Sequence, residues 1–324
     1  MTERPFITIG VTAKNEERAI GTCLESLIAS VAFAEETVAS RFQIIVVLDD
    51  CTDNTAGVVR KYGLPTIVSS GGLVEAQRQL ADRRPFVLFC DADLLVDRVT
   101  IGALAGAMMN APSLQVAYAS KSPLPPSRRT LIAEALYSYN RTNGFQEKRR
   151  YFCGKCFAIR DWQVPTLAEL QPRLRVLPQD HFYNFHAGMR IDDIYLSRDI
   201  LKRYGGAAIR EIPEAHVRFK PPQTFHGMYH TYLRMRMEIE RLDLLFPDSR
   251  PAHQRRSTDA AQTRQATRRE LFLLRVFNFY LLLCRARYRL ERFYYQRVSK
   301  EICPAWPIVS ESKILPCHDI SPQE

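Results

Sequence analysis

Five short runs in the first 120 residues are apolar almost throughout, not at every second position: "FITIGVTA" (6–13), "FQIIVVLDD" (42–50), "PTIVSS" (65–70), "FVLFCDAD" (86–93) and "LQVAYAS" (114–120). A strand with one wet face alternates, whereas a continuous apolar run is a strand buried on both faces. Between the runs, "EERAIGTCLESLIAS", "DNTAGVVRKYG", "LVEAQRQLADR" and "RVTIGALAGAMMN" carry apolar residues at helical spacing. Strands that alternate with helices and need cover on both sides predict an α/β fold, a mostly parallel central sheet with helices on both faces. In such a sheet ligands sit outside the carboxyl ends of the strands. One of those ends, in "FVLFCDADLLVD" (86–97), closes a buried run with Asp91 and Asp93.

Two carboxylates this close repel, so one takes up a proton or a cation stands between them. Residues two apart on an extended chain point to the same side, so Asp91 and Asp93 address one object. Hard oxygen donors that leave coordination positions open suit Mg²⁺ or Mn²⁺ gripping a phosphate. Such a metal neutralises the charge that develops on a diphosphate leaving group. The bland reading of an isolated pair is a helix cap with a solvated neighbour, and Asp97 is a candidate cap for the helix that follows.

Residues 121–150 open as a proline-rich loop, "KSPLPP", and continue as a helix ending in basic residues, an excursion of the kind that covers a site. "YFCGKCFAIR" then reads as a strand, and "IDDIYLSRDILKRYGG" as a helix with an acidic first turn and a glycine stop. "AAIREIPEAHVRFKPP" is extended and "TFHGMYHTYLRMRMEIERLDLLF" helical, while residues 248–268 lack periodicity. The expected division is a domain over 1–245, a loop or linker over 246–268 and a basic amphipathic helical extension over 269–324. With 324 residues and 46% hydrophobic content the chain can bury a sizeable core, which excludes a disordered protein.

A net charge of +10 and a pI of about 9.3 favour acidic partners: phosphorylated small molecules, an anionic membrane surface or nucleic acid. Segment 271–298, "LFLLRVFNFYLLLCRARYRLERFYYQRV", meets Arg275 and Asn278 too early to supply the ~20 consecutive apolar residues of a membrane span. On a helix Arg275, Asn278, Arg285, Arg289 and Arg292 form one stripe, which suits peripheral membrane association. Packing on its own domain or in a homo-oligomer fits the broad apolar face equally well. Of eight cysteines only Cys153 and Cys156, in "CGKC", have metal-ligand spacing; Cys303, Cys317 and His318 are remote, so strand packing is expected over zinc. The opening residues lack the pattern of a secretory signal, which predicts a cytoplasmic protein, with the inner face of the cytoplasmic membrane as a peripheral station. The "NRT" sequon at Asn140 is then an accident.

Over residues 6–245 the order of these segments resembles the family 2 glycosyltransferases, which have the GT-A (Rossmann-like) fold. "ITIGVTAKNEERAIGTCLESL" resembles the opening strand, "P-x-x-N-E" turn and first helix, and "IIVVLDDCTDNTAGVV" the second strand and its turn. "GGLVEAQRQLA" is similar to the "G-x-x-x-A-R-N" segment, "FCDADLLV" to the D-x-D, "GKCFAIR" to the "G-x-x-x-A-x-R" strand, and "IDDIYLSRDILKRYG" to the helix that carries the base. The resemblance implies metal-dependent transfer, with Mn²⁺ or Mg²⁺, of a sugar from a nucleotide-diphosphate sugar to an acceptor hydroxyl on a glycan, lipid or small molecule. It puts Thr12, Ala13 and Glu16 at the nucleoside, Asp49 on the base, Arg78 at the nucleotide, Asp91 near the ribose and Asp93 on the metal. Asp193 stands where the family has its base and Asp192 where glutamate is commoner, giving inversion by one direct displacement. His216, in "PEAHVRFKPP", falls where some GT-A enzymes place a further metal ligand or phosphate contact; Arg218, Lys220, Arg234 and Arg236 are candidates for the diphosphate.

"VTAKNEE" departs from the pattern, with alanine and lysine where proline and an aromatic residue or arginine are usual. A processive synthase is not expected, because the Q-x-x-R-W motif is absent. Retaining transferases use similar D-x-D frameworks, so the stereochemical outcome stays open. A sugar-phosphate nucleotidyltransferase should show a glycine-rich loop after its first strand, and "VTAKNEE" has none. From another class, the Arg-rich carboxyl-terminal third suits a nucleic-acid binder or a silent membrane scaffold. Neither explains acids clustered at three strand or helix ends, and nucleic acid is the less expected partner.

Overall fold

The structure, a computed structural model, describes residues 6–142, 151–177, 180–185, 188–249, 267–299, 301–304, 309, 311 and 313–315. Cys317, His318 and most of the expected 246–268 loop lie outside the described residues. Strands β1 (Phe6–Ala13), β2 (Arg41–Asp49), β3 (Thr66–Ser69), β4 (Val87–Asp91), β5 (Leu94–Val96), β6 (Val116–Pro123), β7 (Cys156–Ile159) and β8 (Ile209–Phe219) form one sheet in the order β3-β2-β1-β4-β7-β6-β8-β5. Pairing is parallel across β3, β2, β1 and β4 and again between β6 and β8. It is antiparallel where β7 inserts between β4 and β6 and where β5 joins the β8 edge.

Continuous apolarity has the predicted consequence, because neighbouring residues of one strand enter opposite cores. Ile45 and Val47 of β2 and Val87 and Phe89 of β4 belong to one cluster, while Ile44, Val46 and Leu48, with Leu88 and Cys90, belong to the other. Ile7, Ile9 and Val11 of β1 are fully buried, each stabilising by about 1.5–3 kcal/mol relative to exposure. The helices are α1 (Ile20–Thr37), α2 (Thr55–Arg60), α3 (Leu73–Arg78), α4 (Thr100–Asn110), α5 (Leu131–Arg141), α6 (Leu167–Leu174), α7 (Asp193–Tyr204), α8 (Phe225–Leu245) and α9 (Arg268–Arg297).

The strand expected over 86–93 ends early, and a second strand follows it at once. β4 stops at Asp91 and β5 starts at Leu94, leaving Ala92 and Asp93 as the turn between a parallel neighbour, β1, and an antiparallel one, β8. Helix α6 is an element the periodicity did not reveal, although "TLAE" is its capping box: the Thr166 side chain accepts from the Glu169 N–H, and the Glu169 side chain accepts from the Thr166 N–H. Helix α7 ends as predicted at a glycine, Gly205 with φ 77°. Helix α9 packs into the first core through Leu273, Phe277, Cys284 and Tyr288, and Phe277 stacks on Tyr139 of α5 with ring centroids 3.7 Å apart. No described helix is long and apolar enough to cross a membrane.

Candidate active site

Three loops at the carboxyl ends of β1, β2 and β3 are tied to one another beside the paired acids. Asn15, in the left-handed region at φ 54°, accepts the Thr52 N–H at 2.8 Å, and the Glu16 N–H donates to Thr55 Oγ1 at 2.7 Å. Asp49, almost wholly buried at the end of β2, accepts the Gly72 N–H at 3.0 Å through Oδ1. Gly72 has φ 92°, a conformation open to glycine and closed to most side chains. The other oxygen, Oδ2, lies 3.1 Å from Lys14 Nζ. The lysine that departs from the family pattern therefore holds the same carboxylate that the resemblance assigns to the base.

Strand register sets the next layer. Thr12 pairs with Asp91, and Cys90 pairs with Cys156, so the residue before Cys156 stands opposite Asp91. That residue is Lys155: its carbonyl accepts the Asp91 N–H at 2.8 Å, and its Nζ lies 3.4 Å from Asp91 Oδ2 and 3.6 Å from Asp93 Oδ1. Burial pushes the Asp91 carboxyl up to about 6, with Lys155 opposing and Asp93 adding. Burial by itself favours a neutral amine at Lys155, but Asp93 and Asp91 outweigh it and hold the ammonium above the ordinary lysine range. The cation that paired acids demand is thus partly supplied by the chain itself. Asp93 Oδ1 is nonetheless buried without a hydrogen-bond partner.

Four further groups face this pair. Burial, reinforced by Asp93, pushes Glu16 up to about 8, against the pull of Lys313. The Lys313 ammonium donates to Glu16 Oε1 and to the carbonyl of Lys14, so a residue near the carboxyl terminus is built into the loop after β1. Burial lowers Arg234 of α8 while Asp93 and Asp91 oppose the shift, which puts it within their electrostatic reach. Asp193, at the start of α7, adds to the field on Asp91; its Oδ2 accepts the Gly154 N–H at 3.2 Å and its Oδ1 the Ile194 N–H at 2.8 Å.

Gly154 allows that approach, since a Cβ there would stand 2.9 Å from Asp193 Cβ. Gly154→Ala should shift the carboxylate; a displacement of about 1 Å costs ~10²-fold in rate and the overpacking about 1–3 kcal/mol. Rate assays and thermal melts on one preparation separate the two effects.

Asp192 stands behind Asp193 and is buried. Burial, and then Asp193, push its carboxyl up to about 7, while a hydrogen bond from Gln77 opposes; Gln77 Oε1 in turn accepts the Trp162 indole N–H at 3.2 Å. A carboxyl whose folded value lies above its unfolded value of 3.8 binds more protons in the native state between the two, so stability falls as pH rises from about 4 to about 7. Asp192→Asn should therefore raise the melting temperature at pH 8, by roughly 2–4 °C for each 1 kcal/mol recovered. At pH 4 the gain should vanish. A larger gain at pH 4 than at pH 8 contradicts the assignment.

The structure thus gathers Thr12, Glu16, Asp91, Asp93 and Asp193 around one strand end, with Ala13 and Asp49 one layer behind. Four candidates sit elsewhere. Arg78 donates to the carbonyls of Val164 at 2.7 Å and Pro165 at 3.4 Å, pairs with Glu75, and lies over the Trp162 ring. His216 Nδ1 is 3.0 Å from Asp97 Oδ2, and the His216 N–H and carbonyl both bond Thr100 Oγ1, a helix-start arrangement on the β5 side. Arg218 joins the same Asp97 at 3.4 Å, and Arg236 pairs with Glu240. Lys155, Lys313 and Gln77 were not singled out from sequence. Only Lys155 left a trace there, as the charge inside "CGKC". Both cysteines of that motif are free and buried, and Cys156 packs within β7.

Residues 8–161 match the family model described as glycosyl transferase family 2. That stretch is similar to the family 2 glycosyltransferases. The match covers β1 through β7, including the D-x-D and Lys155; Asp192, Asp193 and Arg234 lie beyond it. No curated protein matches the chain. Crystal structures with a similar course include glucosyl-3-phosphoglycerate synthase from Mycobacterium tuberculosis in complex with Mn²⁺, UDP-glucose and phosphoglyceric acid, at 18% identity, 74% of this chain, 79% of that one and a TM-score of 0.46. The same synthase with Mg²⁺ and UDP gives 20%, 75%, 79% and 0.45, and a further mycobacterial protein 18%, 75%, 74% and 0.49. At these identities and scores the likeness says nothing about what this chain binds.

Proposed function

We propose that the chain is a family 2 glycosyltransferase that moves a sugar from a nucleotide-diphosphate sugar to an acceptor hydroxyl with inversion. The observation that carries the reading is the convergence of Asp91 and Asp93 with Asp193 across the Gly154-Lys155 turn. Asp91 and Asp93 fit a divalent metal: they are hard oxygen donors on one turn, and one buried oxygen of Asp93 has no hydrogen-bond partner. Among the described residues no group of three or more His, Cys, Asp or Glu side chains forms a metal cage, which suits an ion completed by substrate oxygens and water. Mn²⁺ or Mg²⁺ held there supplies charge neutralisation at the diphosphate.

The chain's own residues account for the rest. Asp49, with the Thr12 to Glu16 loop, offers acceptors and a floor to the nucleoside. Lys155 and Arg234 direct positive charge toward the leaving group. Asp193 accepts the proton of the acceptor hydroxyl as its oxygen bonds the anomeric carbon and the bond from that carbon to the diphosphate oxygen breaks. Asp193 suits this role better than Asp192 because it is half-buried at the site, whereas Asp192 is enclosed against Gln77.

Calorimetric titration of nucleotides and nucleotide sugars, with and without Mn²⁺, tests the proposal. Metal-dependent binding of one nucleoside diphosphate class is the expected result. Folded protein that binds no member of the panel overturns it.

A further inference from the structure

Helix α9 buries one side against the first core and leaves the opposite side bare. Phe272, Phe279, Leu282, Leu283, Leu290 and Phe293 are 39–70% exposed. Phe279, Leu283, Leu290 and Phe293, with the small Ala286 between them, recur at intervals of four and three, so they share one face. Large apolar side chains in a continuous exposed stripe mark an interaction surface. Beside the stripe, between α8 and α9, lies a cavity of about 480 Å³ lined by Tyr232, Arg236, Arg285, Tyr288, Arg289 and Arg292, with Glu240 as the one carboxylate among the described lining residues. Glu240 is fully engaged: Arg236 stands 2.7 Å and Arg292 3.3 Å from it, and it accepts the hydroxyls of Tyr288 at 2.6 Å and Tyr183 at 2.8 Å. Arg285 and Arg289 form no ion pair with a described residue. The cavity therefore sets four guanidinium groups against one occupied carboxylate.

We propose that this α8–α9 cleft binds the phosphate headgroup of an anionic lipid while the bare face of α9 lies in the membrane interface. Guanidinium forks match phosphate oxygens in pairs, and the tyrosines add hydroxyls and a lip suited to a headgroup boundary. Apolar side chains at the edge of a basic cavity fit a ligand that is anionic at one end and greasy at the other, which a free phosphate is not. Charge decides against a second copy of the chain. A two-fold contact on this face would bring Arg268, Arg275, Arg285, Arg289 and Arg297 against the same set. The inference stands apart from the sugar-transfer reading, since none of these residues belongs to the proposed active site.

The test is sedimentation of the full chain with vesicles of phosphatidylcholine alone or mixed with phosphatidylglycerol, for wild type, Arg285→Ala/Arg289→Ala and Phe279→Ser/Phe293→Ser. All four side chains are exposed, so the variants should melt as wild type does. Wild type should bind the anionic vesicles and leave the neutral ones. The arginine pair should weaken partition by about thirtyfold, and the phenylalanine pair should abolish it. Equal binding to neutral vesicles, indifference to the arginine pair, or no vesicle binding overturns the proposal. Arginine-dependent binding of glycerol 1-phosphate without vesicle binding assigns the cavity to a soluble phosphate instead. A dimer in size exclusion that Phe279→Ser/Phe293→Ser dissociates, again without vesicle binding, assigns the face to a second copy.

Discussion

Asp93→Asn is expected to abolish metal-dependent donor binding and to lower sugar transfer by roughly a thousandfold, the several kcal/mol that a metal supplies to a developing oxyanion. The amide keeps the size of the side chain and removes its charge. It also gives a buried atom that already lacks a hydrogen-bond partner a neutral identity. Lys155 stays beside Asp91, so the turn between β4 and β5 keeps one ion pair, and the melting temperature should change little. Titration of Mn²⁺ and donor into both proteins gives the comparison. Equal donor affinity with and without the substitution removes the metal from Asp93.

Asp193→Asn should behave in the opposite way, with donor binding intact and transfer lower by about 10²–10⁴-fold, the range for a missing general base. Asparagine has one acceptor oxygen where aspartate has two. It can keep the Gly154 N–H or the Ile194 N–H but not both, so a stability loss of about 1 kcal/mol should accompany the kinetic one. The split between binding and turnover is what distinguishes this outcome from Asp93→Asn. Loss of donor binding in both variants contradicts the separation of roles, and unchanged transfer in Asp193→Asn sends the search for the base to Asp192.

Much of the sheet was legible because its signal is local. Unbroken apolar runs such as "QIIVV" mean cover on two faces whatever lies next to them, and both cores receive alternate residues of β2 as that rule requires. The break between β4 and β5 within 86–97 was not legible. Nothing within "FCDADLLV" says that Leu94 will leave the parallel neighbours and join an antiparallel edge strand more than 100 residues away. His216 shows the same limit: its strand was foreseen, but which of the two ends of the sheet it faces depends on the β5–β8 register that sets it beside Asp97.

The amino-acid sequence by itself determined a doubly covered α/β sheet with Asp91 and Asp93 at a strand end, because burial pattern and two-residue alternation are properties of neighbouring residues. Only the tertiary structure decided what surrounds those acids. Lys155 reaches them through an antiparallel register, Arg234 through the packing of α8, and Glu16 is held by Lys313 from almost 300 positions along the chain. Charges meet in space at distances set by packing, and sequence separation carries no record of that distance.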